Sequence, residues 1–388
     1  MPNKKSISFI ILEIIFGSCM GVNYTSKPAV NVPKPAQSIV TECAIKSSYS
    51  YYYAYNTGSN DLSPYSIESQ SGQLISISSS ISKIVTGVRP AGITASSDGN
   101  YIYVSGQIDN TISVFRHSCI DGSLTRIQLV SESFGVSPFT VTLSPDGNYL
   151  YVPNYTTNNI SMYTVNKSTG TLTPLLTSYA PNGVVSTNGV GSISDGGALS
   201  FKFEHTGKYA YAGNYGSSTI SLFKYDSTTG DLIYIQSFSS NGIGPRRVMA
   251  DNNGHLFVLN EFSNNISAYN INFADGTLSL INTFTTGVDP IYMFVTSSGK
   301  FLYVSNAGEN TLSQYQILKD GNLKGIGKVR TAGNPRDFYI CKDKYLYIGV
   351  SSENKLNIFS INSLDGSLTS MSEFAIAAGI APSGGVCI

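Results

Sequence analysis

The stretch YLYVPNYTTNNISMYTV, residues 149–165, decides the fold class. Two segments rich in aromatic and β-branched residues, with alternating side chains, flank a polar centre, TTNN. Alternation of this kind indicates β-strands, and a short Asn-rich centre indicates a tight turn between them. The stretch therefore predicts a β-hairpin.

The same pattern recurs seven times along the 388-residue chain. The copies begin at Tyr51, Tyr101, Tyr149, Tyr209, His255, Phe301 and Tyr345. Each copy is followed by a Gly-x-Leu turn, and most are preceded by a strand that starts at a proline. Four short strands per unit, at intervals of 44 to 60 residues, are typical of propeller blades. The sequence predicts an all-β fold, a seven-bladed β-propeller of four-stranded antiparallel blades, over residues 39–388.

Closure of the ring requires one more strand in the first blade. The last residues, APSGGVCI (381–388), look like another strand that starts at a proline, and would lie beside the strand at Tyr51. The segment ECAIKSSYS (42–50) competes for the same place. If both segments lie in the first blade, Cys43 and Cys387 would be close enough to pair. The repeated aromatic residues are predicted to fill the space between neighbouring blades.

Composition excludes several classes of partner. Charged residues make up 12% of the chain, the formal net charge is zero, and no basic stripe is present. Nucleic acid and anionic membrane surfaces are therefore not expected as partners. The five cysteines and three histidines show no metal-ligand spacing, so neither a metal nor another cofactor is predicted.

The N-terminus resembles an export signal. Lys4 and Lys5 precede an apolar run, residues 7–16, and Phe16-Gly17-Ser18-Cys19 resembles a bacterial lipobox. We expect a lipoprotein-type signal peptide over residues 1–19, lipidation of Cys19 and a flexible tether over 20–38. The protein is thus predicted to be exported to the bacterial cell envelope, with membrane contact through a lipid anchor only. The alternative is an ordinary signal peptide with an incidental cysteine.

Charged residues gather at one predicted face of the propeller. The loops that enter the first strands and those between second and third strands share this face, where ligands converge on a concave centre. The entering loops carry Arg89, Asp195, Arg246, Arg247, Asp289, Arg336 and Asp337. Arginines there suit a carboxylate or a phosphate. A ring of salt bridges that includes Glu261 is the alternative.

Asparagines end most of the predicted second strands. Asn214, Asn260 and Asn306 are candidate binding residues on the same face. The alternative is turn chemistry, because an Asn side chain readily bonds to nearby backbone. Aromatic residues that could stack on a sugar would have to lie in the turns, where only Tyr155, Tyr215 and Phe262 occur.

The repeats resemble those of a known family. SPDGNYLYV, DGTL and the pair GIGPRR and NE are similar to the lactonase family, which includes 6-phosphogluconolactonase-type enzymes and carboxy-muconate cycloisomerases. Units such as YVSNAGENTLSQY also look like the wider YVTN surface-propeller repeat. The resemblance covers residues 45–388 and implies lactone chemistry at the mouth of a central channel.

The resemblance assigns two catalytic candidates. Arg246 matches the arginine of the family's Gly-Pro-Arg-His motif, and Glu261 matches the glutamate of its Asn-Glu motif. Arg247 stands in place of the motif's histidine, and Ala307 in place of a second arginine. Gly197, Ala198 and Leu199 stand where a further histidine is expected.

These departures define two hypotheses for function. Lactone opening needs a group that activates water near neutral pH, and two adjacent arginines would keep Glu261 ionised and weakly basic. We therefore expect weak or no lactonase activity, and a module that binds an anionic sugar lactone, a sugar acid or a surface protein. The alternative is a lactonase in which Arg246 holds the substrate and Glu261 acts as acid and base. Open, unpaired charges would favour ligand binding or catalysis, whereas paired charges and a plugged channel would favour protein interaction.

Overall fold

The computed structural model describes residues 50–77, 83–131, 135–175, 190–193, 196–371, 373 and 375–388. The expected signal peptide, lipidated Cys19 and tether, and the candidate Asp195, lie outside the described residues. The chain divides into residues 1–42 and 43–388, and every described residue belongs to the second unit. Among the described residues, no helix is long and apolar enough to cross a bilayer.

The described residues form 31 strands in seven antiparallel sheets. The strands that precede the fourth blade are β1 (Ser50–Asn56), β2 (Asp61–Ile67), β3 (Leu74–Ser76), β4 (Ile84–Val85), β5 (Pro90–Ala95), β6 (Tyr101–Gly106), β7 (Thr111–His117), β8 (Leu124–Ser131), β9 (Thr142–Leu143), β10 (Tyr149–Asn154), β11 (Asn159–Val165), β12 (Leu172–Pro174) and β13 (Val190–Ile193). Those of the fourth and fifth blades are β14 (Ala198–Phe203), β15 (Tyr209–Asn214), β16 (Thr219–Tyr225), β17 (Leu232–Ser239), β18 (Pro245–Ala250), β19 (His255–Asn260), β20 (Asn265–Ile271) and β21 (Leu278–Thr285). The remaining strands are β22 (Pro290–Val295), β23 (Phe301–Asn306), β24 (Thr311–Ile317), β25 (Leu323–Arg330), β26 (Pro335–Cys341), β27 (Tyr345–Val350), β28 (Lys355–Ile361), β29 (Leu368–Ser370), β30 (Ile376–Ala377) and β31 (Pro382–Cys387).

The strand order confirms the predicted seven-bladed propeller. Each blade runs from an inner first strand to an outer fourth strand, as in the order β18-β19-β20-β21. All seven copies of the sequence pattern form the second and third strands of a blade, beginning with β1, β6, β10, β15, β19, β23 and β27. In blades 1, 3 and 7 the outer strand consists of two short segments.

The repeated tyrosines join neighbouring blades, as the sequence predicts. In six of the seven copies the third residue is a buried tyrosine, and its hydroxyl donates to the carbonyl of the Gly-x-Leu glycine in the next blade. Six such bonds span the ring, namely Tyr53–Gly122, Tyr103–Gly170, Tyr151–Gly230, Tyr211–Gly276, Tyr303–Gly366 and Tyr347–Gly72. Phe257 occupies this position in the fifth blade and lacks the hydroxyl.

A second repeated contact fixes the loops of adjacent blades. A residue at positive φ precedes the first strand of each blade, or in blade 3 the isolated bridge at Pro138. Its backbone N–H donates to the side chain of an Asn or Ser, itself at positive φ, in the preceding blade. The seven acceptor–donor pairs are Asn60–Arg89, Asn110–Ser137, Asn158–Gly197, Ser218–Gly244, Asn264–Asp289, Asn310–Asn334 and Asn354–Ala381. Asn tolerates this backbone region better than most residues, which explains its recurrence. We call these contacts the loop staples.

The C-terminal strand closes the ring. β31 pairs with β1 in the register Tyr52↔Cys387 and Ala54↔Gly385, so the last residues take the place predicted for them. The suggested pairing of Cys43 with Cys387 is wrong, because Cys387 forms a disulfide with Cys341. Sequence could not indicate this, since Cys341 ends the first strand of blade 7 and only the closed ring brings it to 6.0 Å, Cα to Cα, from Cys387.

Candidate ligand site at the loop face

The loop face carries the loops that enter the first strands and those between second and third strands. Here β18 begins with Pro245, and its pairing with β19 shifts by one residue between Pro245 and Arg247. A bulge of this kind leaves one residue unpaired and re-aims its side chain. Arg246 is that residue, so the bulge separates the directions of the two adjacent arginines.

Arg246 and Glu261 form an ion pair at the loop face. Arg246 Nη1 donates to Glu261 Oε2 at 2.8 Å, and Arg246 Nε donates to the carbonyl of Ile291 at 2.8 Å. The two side chains are 21% and 12% exposed, which leaves both reachable by a ligand. Desolvation opposes the charge of Arg246, but Glu261, and after it Asp337, raise the pKa of the guanidinium.

Asp289 and Arg336 complete the cluster. Partial desolvation and the Glu261 carboxylate raise the pKa of Asp289, while Arg246 and Arg336 act in the opposite direction. Asp289 therefore lies close to Glu261, so two carboxylates and two arginines share the mouth. Within the described part of the chain, Arg336 has neither a hydrogen bond nor an ion pair. A ligand anion would give Arg336 an ion-pair partner.

Arg247 lies inside the channel rather than beside Arg246. Its Nη2 donates to the Tyr292 hydroxyl at 2.6 Å, and its guanidinium carbon lies 4.2 Å from the centre of that ring. Its Nε is buried without a hydrogen-bond partner. Desolvation raises the pKa of Tyr292 to about 12, although Arg247 works against the rise.

The three candidate asparagines lie in the scaffold. Asn214, Asn260 and Asn306 are fully buried. The amide of Asn260 donates to Asn265 Oδ1 at 2.8 Å, and the other two donate to the third strands of their own blades in the same way. These bonds join the second strand to side chains of the third strand rather than to the local backbone of a turn, and a role of the three asparagines in binding stays a prediction.

Three aromatic loop residues form a row beside the ion pair. The ring centres of Tyr155 and Tyr215 are 6.2 Å apart, and those of Tyr215 and Phe262 are 5.3 Å apart. Tyr155 is 39% and Phe262 62% exposed. Desolvation and the adjacent Glu261 raise the pKa of the Tyr215 hydroxyl, which places this row against the charged cluster. We call Tyr155, Tyr215 and Phe262 the aromatic row.

Two cavities follow the channel axis away from the loop face. A channel cavity of about 240 Å³ is lined by first-strand residues that include Arg247, Tyr292 and Asp337. A wider cavity of about 670 Å³, here called the bowl, opens at the opposite face among the hairpins that join first and second strands. The sequence did not indicate the bowl, because its walls come from hairpins far apart in the chain.

Some charged residues at the mouth are paired, as expected for protein interaction, and one is unpaired within the described chain, as expected for ligand binding. Arg246 and Glu261 are paired, Arg247 bonds to Tyr292, and Arg336 has no partner among the described residues. The channel holds a cavity of about 240 Å³, whose walls include the paired side chains of Arg247 and Tyr292. Among the described residues, no group of three His, Cys, Asp or Glu side chains is placed to hold a metal ion.

The ring of blades and its charged mouth define the class, a seven-bladed β-propeller with polar loops gathered at one end of its channel. A family model described as "Lactonase, 7-bladed beta-propeller" matches residues 43–187, 192–294 and 292–381. The chain belongs to this lactonase family.

Individual relatives are more distant. An uncharacterized protein of Staphylococcus epidermidis is 28% identical over 193 residues, 47% of this chain and 54% of that protein. A 6-phosphogluconolactonase of Buchnera aphidicola is 24% identical over 262 residues, 52% of this chain and 74% of that protein. The chain thus spans about half the length of the first curated relatives it matches.

A solved structure shares the whole architecture. The periplasmic gluconolactonase of Pseudomonas aeruginosa is 17% identical, with a TM-score of 0.71 over 88% of this chain and 99% of that one. At this identity the likeness shows the fold alone.

Proposed function

We propose that the loop face binds a sugar acid or sugar lactone that carries a carboxylate or phosphate. The observation that supports this most is the aromatic row beside a cluster with an unpaired arginine. Aromatic faces give a flat apolar surface for the C–H groups of a sugar ring. Arg336 offers a forked donor to the anionic end of the same molecule.

The channel mouth also supplies polar contacts for hydroxyl groups. Glu261 and Asp289 are acceptors, and the Tyr215 hydroxyl can donate. A few convergent polar groups around an apolar wall are the usual composition of a small-molecule site. Sugar acids have a ring or chain of hydroxyls and one negative end, which matches this arrangement of groups.

Lactone hydrolysis at the same mouth is the second candidate. It is favoured by the proximity of Glu261 and Asp289, since two neighbouring carboxylates can hold different protonation states and serve as acid and base. Partial desolvation and the neighbouring Glu261 carboxylate raise the pKa of Asp289, which favours its acid role. Arg246 would then stabilise negative charge on the opening lactone. The match to the lactonase family model and the similarity to the 6-phosphogluconolactonase of Buchnera aphidicola add support.

A thermal-shift screen separates the two candidates from a protein-interaction role. We expect gluconate, 6-phosphogluconate and their lactones to raise the melting temperature, and neutral glucose to do so much less. Loss of the shift in Arg336→Gln, with retention in Arg330→Gln on an outer strand, supports the site. No shift with any of these compounds contradicts it. Release of acid from a lactone, abolished by Glu261→Gln, would establish hydrolysis.

We propose further that the protein is exported and lipid-anchored. The support from the described residues is the Cys341–Cys387 disulfide, because disulfides persist mainly in oxidising compartments. Metabolic labelling with a fatty-acid analogue tests the anchor. Label in the wild-type chain and its loss in Cys19→Ala is the expected result, and an unlabelled wild-type chain contradicts the anchor.

A further inference from the structure

The channel contains cations that the loop-face site does not use. Lys202, in the first strand of blade 4, lines both the channel cavity and the bowl. Within the described part of the chain, its ammonium group has neither a hydrogen bond nor an ion pair. Lys202 is partly buried. A partly desolvated charge without a partner gains from an anion, so an unpaired ammonium group in the walls of two cavities suits an anionic ligand.

Arg247 lies next to Lys202 along the channel. By strand register Arg247 is equivalent to Ser200, so Lys202 lies two residues, about 7 Å, further towards the bowl. Desolvation, and after it the charge of Arg247, lower the pKa of Lys202. Arg247 Nε and Thr140 Oγ1, which line the same cavity, are buried without hydrogen-bond partners. The channel thus presents unused donors and an excess of positive charge.

The carboxylates near these cations are already engaged. Asp337, the acidic residue in the channel cavity, accepts a hydrogen bond from Tyr55 at 2.6 Å. In the bowl, Glu204 binds the backbone of its own hairpin, Asp251 binds His255, and Asp343 binds the N–H groups of Ser297 and Ser298. None of these described carboxylates pairs with Lys202.

The remaining charged groups of the bowl are basic. Lys342 Nζ donates to Ser50 Oγ at 2.7 Å, and Lys344 Nζ lies 5.0 Å from the centre of the Tyr345 ring. His205 packs against Phe273 beside Glu204. Among its described lining residues the bowl has three lysines, counting Lys202, and three carboxylates. Positive charge exceeds negative charge at the channel cavity, where Lys202 and Arg247 stand against Asp337.

The walls of the bowl suit an apolar body. Residues that line it include Phe203, Met249, Phe294, Val295, Tyr339 and Ile340. Its volume of about 670 Å³ is typical of small-molecule sites, whereas the channel cavity holds only a small head group.

The geometry points to a second binding site for an organic carboxylate with an apolar body, separate from the loop face. The carboxylate enters the channel and accepts hydrogen bonds from Lys202 and Arg247, and the apolar body fills the bowl. No covalent bond is formed or broken. This site is reached from the face opposite to Arg246 and Glu261, so it does not depend on the proposed function.

Calorimetric titration with hexanoate, 1-hexanol and acetate tests the site. Hexanoate has both the head group and the body, hexanol lacks the charge, and acetate lacks the body. We expect hexanoate to bind at least about 10-fold more tightly than either control, the factor typical of a charge-assisted hydrogen bond. Equal affinity for hexanoate and hexanol, or no binding of hexanoate, overturns the proposal.

Variants locate the bound carboxylate. Lys202→Met should weaken hexanoate binding about 10-fold to 100-fold and raise the melting temperature of the free protein, because it removes an unpaired desolvated charge. Arg330→Gln, on an outer strand, should leave hexanoate affinity unchanged. Unchanged affinity in Lys202→Met, or an equal loss in Arg330→Gln, contradicts the assignment. If Lys202→Met does not fold, the comparison of hexanoate with hexanol on the wild-type chain decides.

Discussion

The separation of Arg246 from Arg247 shows how one residue's position determines its chemistry. In the sequence the two are adjacent and look equivalent. The bulge after Pro245 places Arg246 at the mouth with Glu261, and Arg247 in the channel with Tyr292. The sequence could predict that arginines gather at this end of the propeller. It could not predict that Arg246 pairs with Glu261 and Arg247 with Tyr292. Bulges depend on pairing between strands, which local patterns do not encode.

Asp251 provides a test of electrostatics at the residue scale. Burial opposes its ionisation, but hydrogen bonds from His255 and from backbone lower its pKa below the ordinary 3.8. A depressed folded-state pKa contributes stability above pH 3.8 that is lost as pH falls through the lower folded value. Asp251→Asn should therefore be less stable than wild type at pH 7, with a difference that shrinks below pH 3.8. Melting temperatures of both proteins at pH 7, 4 and 2.5 measure this difference. A difference that does not change with pH would contradict a stabilising role for the ionised Asp251 carboxylate.

At the scale of elements, much of the fold could be predicted because each hairpin has a recognisable local sequence pattern. Alternation, the polar turn and the Gly-x-Leu signal all lie within about 25 residues, and the seven second and third strands begin and end as the pattern indicates. The loop staples could not be predicted, because each joins two loops about 20 to 40 residues apart through a side chain that also resembles ordinary turn chemistry.

The loop staple between Asn264 and Asp289 predicts an order of stabilities. Asn264→Gly keeps a residue suited to positive φ and loses only the hydrogen bond to Asp289 N, at a cost of about 1 kcal/mol. Asn264→Ala loses the bond and also strains the backbone, which adds about 1 kcal/mol. Urea unfolding should rank wild type above the glycine variant and the glycine variant above alanine. Equal stability of wild type and Asn264→Ala would show that the staple does not stabilise the ring.

At the scale of the whole molecule, closure joins the two ends of the ring. β31 pairs with β1, and the disulfide fixes β31 to the first strand of blade 7. The bond spans 46 residues, so the chain-entropy model assigns it about 4 kcal/mol. The double variant Cys341→Ala, Cys387→Ala should lose free energy of unfolding of that order in a denaturant titration. A loss below about 1 kcal/mol would mean that strand pairing alone closes the ring.

Neither the bowl nor the role of Lys202 could be predicted from the sequence. Lys202 lies in a strand without a motif, and only the closed ring places it beside Arg247 and beneath the hairpins of other blades. The aromatic row was visible in sequence only as three isolated turn residues, and its contiguity comes from the order of neighbouring blades. Long-range arrangement, rather than local propensity, therefore creates both sites.

Titration of the purified protein with 6-phosphogluconate is the direct test of a sugar-acid site at the loop face. Wild type and Arg330→Gln should bind with the same affinity, and Arg336→Gln should bind about 10-fold or more weakly, because it loses a charge-assisted contact to the ligand. Equal affinity in all three proteins, or no binding to wild type, would contradict a sugar-acid site at the loop face.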